Sequence, residues 1–244
     1  MNKRWIIVLA VMFIIGLGTV TLYYREPTPF LTTEEIVEVL NKQGINRTVK
    51  VLDVLEAETS YRFVPFTTED GRSGMSYWAF KLSGWKLVGY EWNGQLKIWK
   101  LRANAPTSYY FIWHFAPQEE ATQMNILFLQ DRYYSISGDN NQFYTPRIQL
   151  QMNIDLTENL YGLQPIPENW LSIISAMTPI QQDSLFSSIL GTPSSYYFGM
   201  QTVDAQGQEV YLETGAGSQS YWLEGADFYV DHVMNIYEEQ LEKP

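Results

Sequence analysis

The chain has 244 residues, and with 45% hydrophobic and 15% aromatic residues it can bury a sizeable core, which excludes a disordered polypeptide. Its formal charge is −11, and setting aside Lys3, Arg4, Arg25 and Glu26 leaves 13 basic and 26 acidic residues, a balance of −13. Such a surface repels nucleic acid, so a nucleic-acid partner is set aside, and the absence of cysteine excludes disulfides, thiol nucleophiles, thiolate metal sites and lipidation at cysteine.

Residues 1–24 open with Lys3 and Arg4 and continue as a charge-free apolar run over residues 5–22. At about 1.5 Å per helical residue, roughly 18 residues bounded by Trp5 and Tyr23-Tyr24 match a hydrocarbon core of about 30 Å and its aromatic belts. The run is longer than the apolar region of a secretory signal, and the following Arg25, Glu26 and Pro27 make a poor peptidase site. The expectation is a signal-anchor transmembrane helix over residues 1–24, with membrane contact through residues 5–24. Basic residues lie mainly before the run, so the N-terminus stays cytoplasmic and residues 25–244 lie outside. A cysteine-free chain placed there fits a bacterial cell envelope.

Residues 25–31, with Pro27 and Pro29, read as a stiff spacer. A helix follows: Thr32 and Glu35 form a capping box, Leu31 and Ile36 are spaced as a hydrophobic staple, Ile36, Val39 and Leu40 make the apolar stripe, and Gly44 suits the stop. From residue 48 the composition turns to β-branched and aromatic residues, predicting strands at 48–55, 61–66 and 77–82. Asn93-Gly94 predicts a type I′ hairpin joining 85–92 to 95–102. Its register pairs Trp92 with Gln95, Tyr90 with Lys97, Val88 with Trp99 and Trp85 with Arg102, with cation–π contacts in the second and last pairs. Both faces of that hairpin are partly apolar, so it is covered on both sides or keeps one sticky face.

Further strands are expected at 108–115, 124–130 and 133–137. Residues 137–142 break the pattern and mark a candidate boundary between 32–137 and 143–244. Beyond it the sequence predicts a strand at 147–156, helices at 167–177 and 179–190, and a hairpin of 196–203 with 209–214 around Asp204-Ala-Gln-Gly207. Thr178 caps the second of those helices, with Pro179 at its first position. Val230, Val233, Met234, Tyr237 and Leu241 fall on one face of a closing helix. The expected fold is α+β: an N-terminal transmembrane helix, then a mainly antiparallel β-rich ectodomain with a few helices.

Catalytic and cofactor signatures are missing. There are two histidines; His114 lies in an aromatic strand and reads as a core or sheet-edge residue, and His232 adjoins Asp231 without facing it on a helix. Neither Gly-x-Ser-x-Gly, a P-loop nor a dinucleotide fingerprint occurs. A glycosidase needs two carboxylates on one cleft, and Glu56, Glu58, Asp131, Asp155, Glu158, Glu209, Glu213, Asp227 and Asp231 supply candidates without singling out a pair. Asp139-Asn140-Asn141 and Asp204-Ala-Gln-Gly207 lack calcium-loop spacing and read as turns. No catalytic, cofactor or metal residue is assigned.

The positive signal is aromatic. Trp85, Tyr90, Trp92 and Trp99 are candidate ligand-stacking or interface residues, with core filling as the alternative. The expected function is a membrane-anchored, non-enzymatic envelope protein that binds another envelope protein as an accessory, assembly or regulatory subunit. The alternative is a glycan-binding module or wall-active glycoside hydrolase that uses surface tryptophans and a carboxylate pair.

Overall fold

Local chemistry fixes the first element. In the computed structural model, Thr32 Oγ1 accepts from the Glu35 amide at 3.3 Å and Glu35 Oε2 accepts from the Thr32 amide at 2.8 Å. This capping box starts α1, Thr33–Lys42, which buries Ile36 and Leu40. The structure describes residues 12–13, 27–43, 50–92, 95–116, 120–136, 142–182, 196–212, 220–223 and 225–242.

Strands then dominate: β1 Lys50–Val51, β2 Leu55–Glu58, β3 Tyr61–Thr67, β4 Ser73–Lys81, β5 Gly84–Trp92, β6 Lys97–Lys100, β7 Tyr109–His114, β8 Gln123–Gln130, β9 Tyr133–Ile136, β10 Gln142–Thr145, β11 Ile148–Asp155 and β12 Tyr161–Pro165. After α2, Glu168–Gln182, come β13 Tyr197–Val203, β14 Ser220–Trp222, β15 Tyr229–His232 and β16 Met234–Asn235. The first sheet runs β1-β3-β4-β5-β14, with β2 also on β3; the second runs β12-β7-β6-β15, and the third β11-β8-β13-β16. β9 and β10 form a separate two-stranded ribbon.

Three apolar clusters stack these sheets. Ile36 and Leu40 of α1 pack on Val64, Phe66, Trp78, Trp85 and Leu87 of the first sheet. Its opposite face, Phe63, Met75, Tyr77 and Val88, meets Trp99, Leu101 and Ile112 of the second. The far side of the second sheet, Ile98, Phe111 and Trp113, meets Met124, Ile126 and Phe128 of the third, with Trp170 and Ile174 of α2 in the same core. The first two sheets are thus apolar on both faces. In β11, by contrast, Ile148, Leu150, Met152 and Ile154 face the core while Gln149, Gln151, Asn153 and Asp155 face out, the period-two signature of a one-sided strand.

The α+β expectation is corrected to a mainly β architecture. Among the described residues no helix is long and apolar enough to cross a membrane, so the expected N-terminal transmembrane helix is not found among them. Of residues 1–24 only Met12 and Phe13 are described, in helical conformation, and the rest lies outside the described residues. The expected hairpin of 85–92 with 95–102 does not form. β5 pairs with β4 through the turn at Leu82 and Ser83, where Gly84 takes φ 104°, and its other edge takes β14. β6 pairs instead with β7 and β15 in the second sheet. The closing helix is also absent: its residues supply β15, β16 and a 3-10 turn at Glu238–Gln240. The two helices expected near 167–190 are one, α2, which continues through Thr178 and Pro179, and residues 183–190 lie outside the described set.

Of the hairpin expected from 196–203 and 209–214, the first strand and the turn form, while the second side contributes only a bridge between Val203 and Glu209 among the described residues. The turn at Asp204 is built by Asp204 Oδ1 accepting from the Gln206 and Gln208 amides, each at 2.8 Å, with Gly207 at φ 77°. Strand β8, before the 137–142 break, pairs with β11 after it. The turn expected at Asp139-Asn140-Asn141 lies outside the described residues.

Candidate functional site

The four aromatic candidates go to two places, and neither is an open platform. Trp85 is buried beneath the N-terminal segment: its indole N–H donates to the Thr28 carbonyl at 2.9 Å, and Phe30 meets its ring edge-on at 4.8 Å. Tyr90 stacks on Tyr221 of β14 at 4.8 Å, and the half-buried Trp92 packs against Phe66. Trp99 is wholly enclosed, ringed by Tyr61, Tyr77 and Phe228 in the neighbouring core. The cation–π contacts expected across the hairpin are replaced. Arg62 lies 4.9 Å over Trp85 and Arg72 4.9 Å over Trp92, while Arg102 grips Glu58 with two bonds of 2.7 Å.

Between the first and second sheets sits a charged group that the sequence did not mark. Glu91 of β5 and Lys97 of β6 are both buried and form an ion pair through Glu91 Oε2. The Tyr77 hydroxyl donates to Glu91 Oε1, and Ser220 Oγ of β14 donates to Oε2 at 2.8 Å. Burial, followed by the Glu91 charge, pushes the Tyr77 phenol well above its ordinary range. The cluster locks two sheets and an edge strand together. It has the satisfied partners of a structural pair, because a buried charge persists only when matched and hydrogen-bonded.

The other titratable candidates are largely occupied. Glu56 pairs with Arg62 at 2.9 Å, Asp227 with Lys81 at 3.0 Å, and Asp131 and Asp231 pair with Arg147 and Lys100. Asp155 accepts from the Thr157 amide and hydroxyl, which holds its carboxyl below the usual range. Asp155 and Glu158 line a cleft of about 490 Å³ with Asp53 and Trp113, but the Trp113 ring is itself buried. Glu209 accepts from the Tyr211 hydroxyl at 3.0 Å, and Glu213 lies outside the described residues. His114 is buried, with Nδ1 donating to the Gly74 carbonyl at 2.9 Å. His232 is exposed on β15 rather than on a helix. Among the described residues no group of three or more His, Asp or Glu is arranged to hold a metal.

The surface aromatics are elsewhere. In the β9–β10 ribbon Tyr134 stands directly opposite Tyr144, and Ile136 follows on the same face. They are 54%, 58% and 56% exposed, while Thr145 on the opposite face is buried. No residue of the two ribbon strands carries a charge. Among the described residues neither outer edge pairs with a third strand. Charges cluster at its base instead, where Arg147 binds Asp131, Tyr197 donates to Asp131 at 3.1 Å and Arg132 binds Glu242 at 3.1 Å. The ribbon is therefore pinned at its root and presents an apolar face, with no third strand on either edge among the described residues. Sequence reasoning found its first strand but not its second. A strand, a Gly-Asp-Asn turn and a second aromatic segment form a hairpin signal that was legible at residues 133–145.

Comparison with family models, with curated proteins and with solved structures finds no match to this chain, so the geometry alone carries the functional argument.

Proposed function

We propose that this chain is a protein-binding accessory module of the bacterial envelope, attached to a membrane surface through residues 5–24, and that the β9–β10 ribbon is its contact element. The observation that carries the reading is the uncharged, exposed face of Tyr134, Ile136 and Tyr144 on a ribbon that takes no third strand among the described residues. Folded proteins normally guard such edges with lysine, proline, a bulge or a covering element, because an open edge recruits other strands. An unguarded aromatic ribbon suits a partner that adds an extended segment, with backbone bonds giving affinity and the tyrosines giving specificity. Binding is favoured over catalysis because most of the candidate carboxylates are occupied by arginine, lysine or backbone partners.

The test is purification of the full-length chain from its native cells in mild detergent. A partner recovered in stoichiometric amount, and lost on Ile136→Asp or Tyr144→Asp with the unfolding midpoint unchanged, is the expected result. Recovery unaffected by both substitutions contradicts the assignment. Recovery of the wild-type chain in the soluble fraction of lysed cells contradicts the proposed attachment.

A further inference from the structure

The outer face of the third sheet divides in two. Where it is apolar the chain covers itself: Leu127 and Leu129 lie under Ile236 and Leu241. Gln149 clasps the same C-terminal segment, donating to the Glu242 carbonyl at 3.2 Å and accepting from its amide at 3.0 Å. Where the face stays open it is lined with amides. Gln123 Nε2 donates to Asn125 Oδ1 at 2.7 Å, and Asn125 Nδ2 donates to Gln201 Oε1 at 3.2 Å. This ladder floors a groove of about 620 Å³, walled by the Asp204–Gly207 turn, Glu209 and Glu238. Glu209 and Glu238 also line an adjoining hollow of about 380 Å³, whose wall is Tyr211 and Tyr237.

Four properties distinguish this groove from a merely solvated sheet face. Asparagine is disfavoured in strands, yet Asn125 sits mid-strand and is only 6% exposed, so its amide is held at the groove floor. The ladder uses one proton from each of two amides. It leaves the Gln201 nitrogen and the Gln123 oxygen without a protein partner among the described residues, one donor and one acceptor. At the far end the rings of Tyr211 and Tyr237, 62% and 42% exposed, meet at 48° with centroids 5.5 Å apart. Among the described residues neither lysine nor arginine lines either hollow, whereas Glu209, Glu238 and Glu239 do.

We infer that this groove is a saccharide-binding site for a neutral or amine-bearing oligosaccharide. Amide donor–acceptor pairs match vicinal hydroxyls, and a tyrosine face suits the C–H face of a pyranose. The carboxylates accept from further hydroxyls or from an ammonium, and they repel uronates, sulfates and phosphates. The site lies apart from the ribbon and does not depend on it.

Calorimetry on the full-length chain in mild detergent tests this, with three probes: a β-1,4-linked N-acetylglucosamine tetramer, the matching glucosamine tetramer and tetragalacturonate. Saturable binding of at least one of the first two, with Kd below about 1 mM, and none of the third, is expected. Gln201→Ala and Tyr211→Ala should each weaken it at least about tenfold, since each removes a groove contact, with the unfolding midpoint unchanged. Tyr134→Asp should leave it intact. Binding of neither sugar, tetragalacturonate binding as tight as either, or affinity unaltered by both groove substitutions overturns the inference.

Discussion

At the scale of single residues, buried polar groups carry the sharpest consequences. Lys97 and Glu91 are each nearly inaccessible, and removing one strands the other's charge in the core. Lys97→Met should cost about 3–5 kcal/mol in denaturant unfolding. The double change Glu91→Leu with Lys97→Met should recover much of that, because an apolar pair of similar volume needs no compensation. His114 behaves differently. Burial penalises its imidazolium and holds its pKa below the ordinary value, with the bond to the Gly74 carbonyl opposing the shift. The folded chain then binds this proton less readily than the unfolded one. The contribution to stability is complete above about pH 6.5 and is lost as pH falls through the folded-state pKa. His114→Asn keeps a donor for Gly74 and removes the titration, so its stability should fall less steeply than wild type between about pH 6.5 and 5.

At the scale of elements, a recurring device joins strands: a glycine lies directly opposite an aromatic residue whose ring folds over it. Gly74 faces Phe66, Gly89 faces Trp222 and Gly162 faces Trp113. A Cβ at these glycines would stand 2.3, 2.4 and 2.2 Å from the ring atoms. Gly162→Ala should therefore destabilise by about 1–3 kcal/mol through overpacking, measured as a lower unfolding midpoint, and Trp113 fluorescence should shift as its ring is displaced. How far the elements were legible depended on where their partners lie. The capping box of α1 and the strand at 147–156 rest on local signals, and both appear as expected. The Asn93-Gly94 hairpin failed because β5 finds one partner by its own turn at 82–83 and the other in β14, with Glu91 opposite Ser220 far along the chain. The closing helix failed for a related reason. Val230, Val233 and Ile236 favour extended backbone, and sheet edges at β6 and β13 offered it hydrogen bonds. The aromatic identity of Trp85, Tyr90, Trp92 and Trp99 was plain in the sequence. Their burial was not, since it comes from Thr28, Phe30, Tyr221 and Phe228, which only the fold brings over them.

At the scale of the whole molecule, the C-terminal run closes what the rest leaves open. Within residues 220–235, β14 covers β5, β15 covers β6 and β16 covers β13, one strand for each of the three sheets. The last residues then strap the outer face of the third sheet through Gln149, Arg132 and Arg147. One segment thus covers one edge in each of the three sheets, and the β9–β10 ribbon is set apart by its exposed, uncharged aromatic face, which is why the ribbon is assigned to a partner. Photocrosslinking in intact cells measures this directly, with a benzophenone amino acid placed at Tyr134 or Tyr144 and, as a control, at the exposed Leu82. The account predicts one discrete protein adduct from positions 134 and 144, abolished by Ile136→Asp, and none from position 82. No adduct at the ribbon positions, or the same adducts from all three, would contradict it.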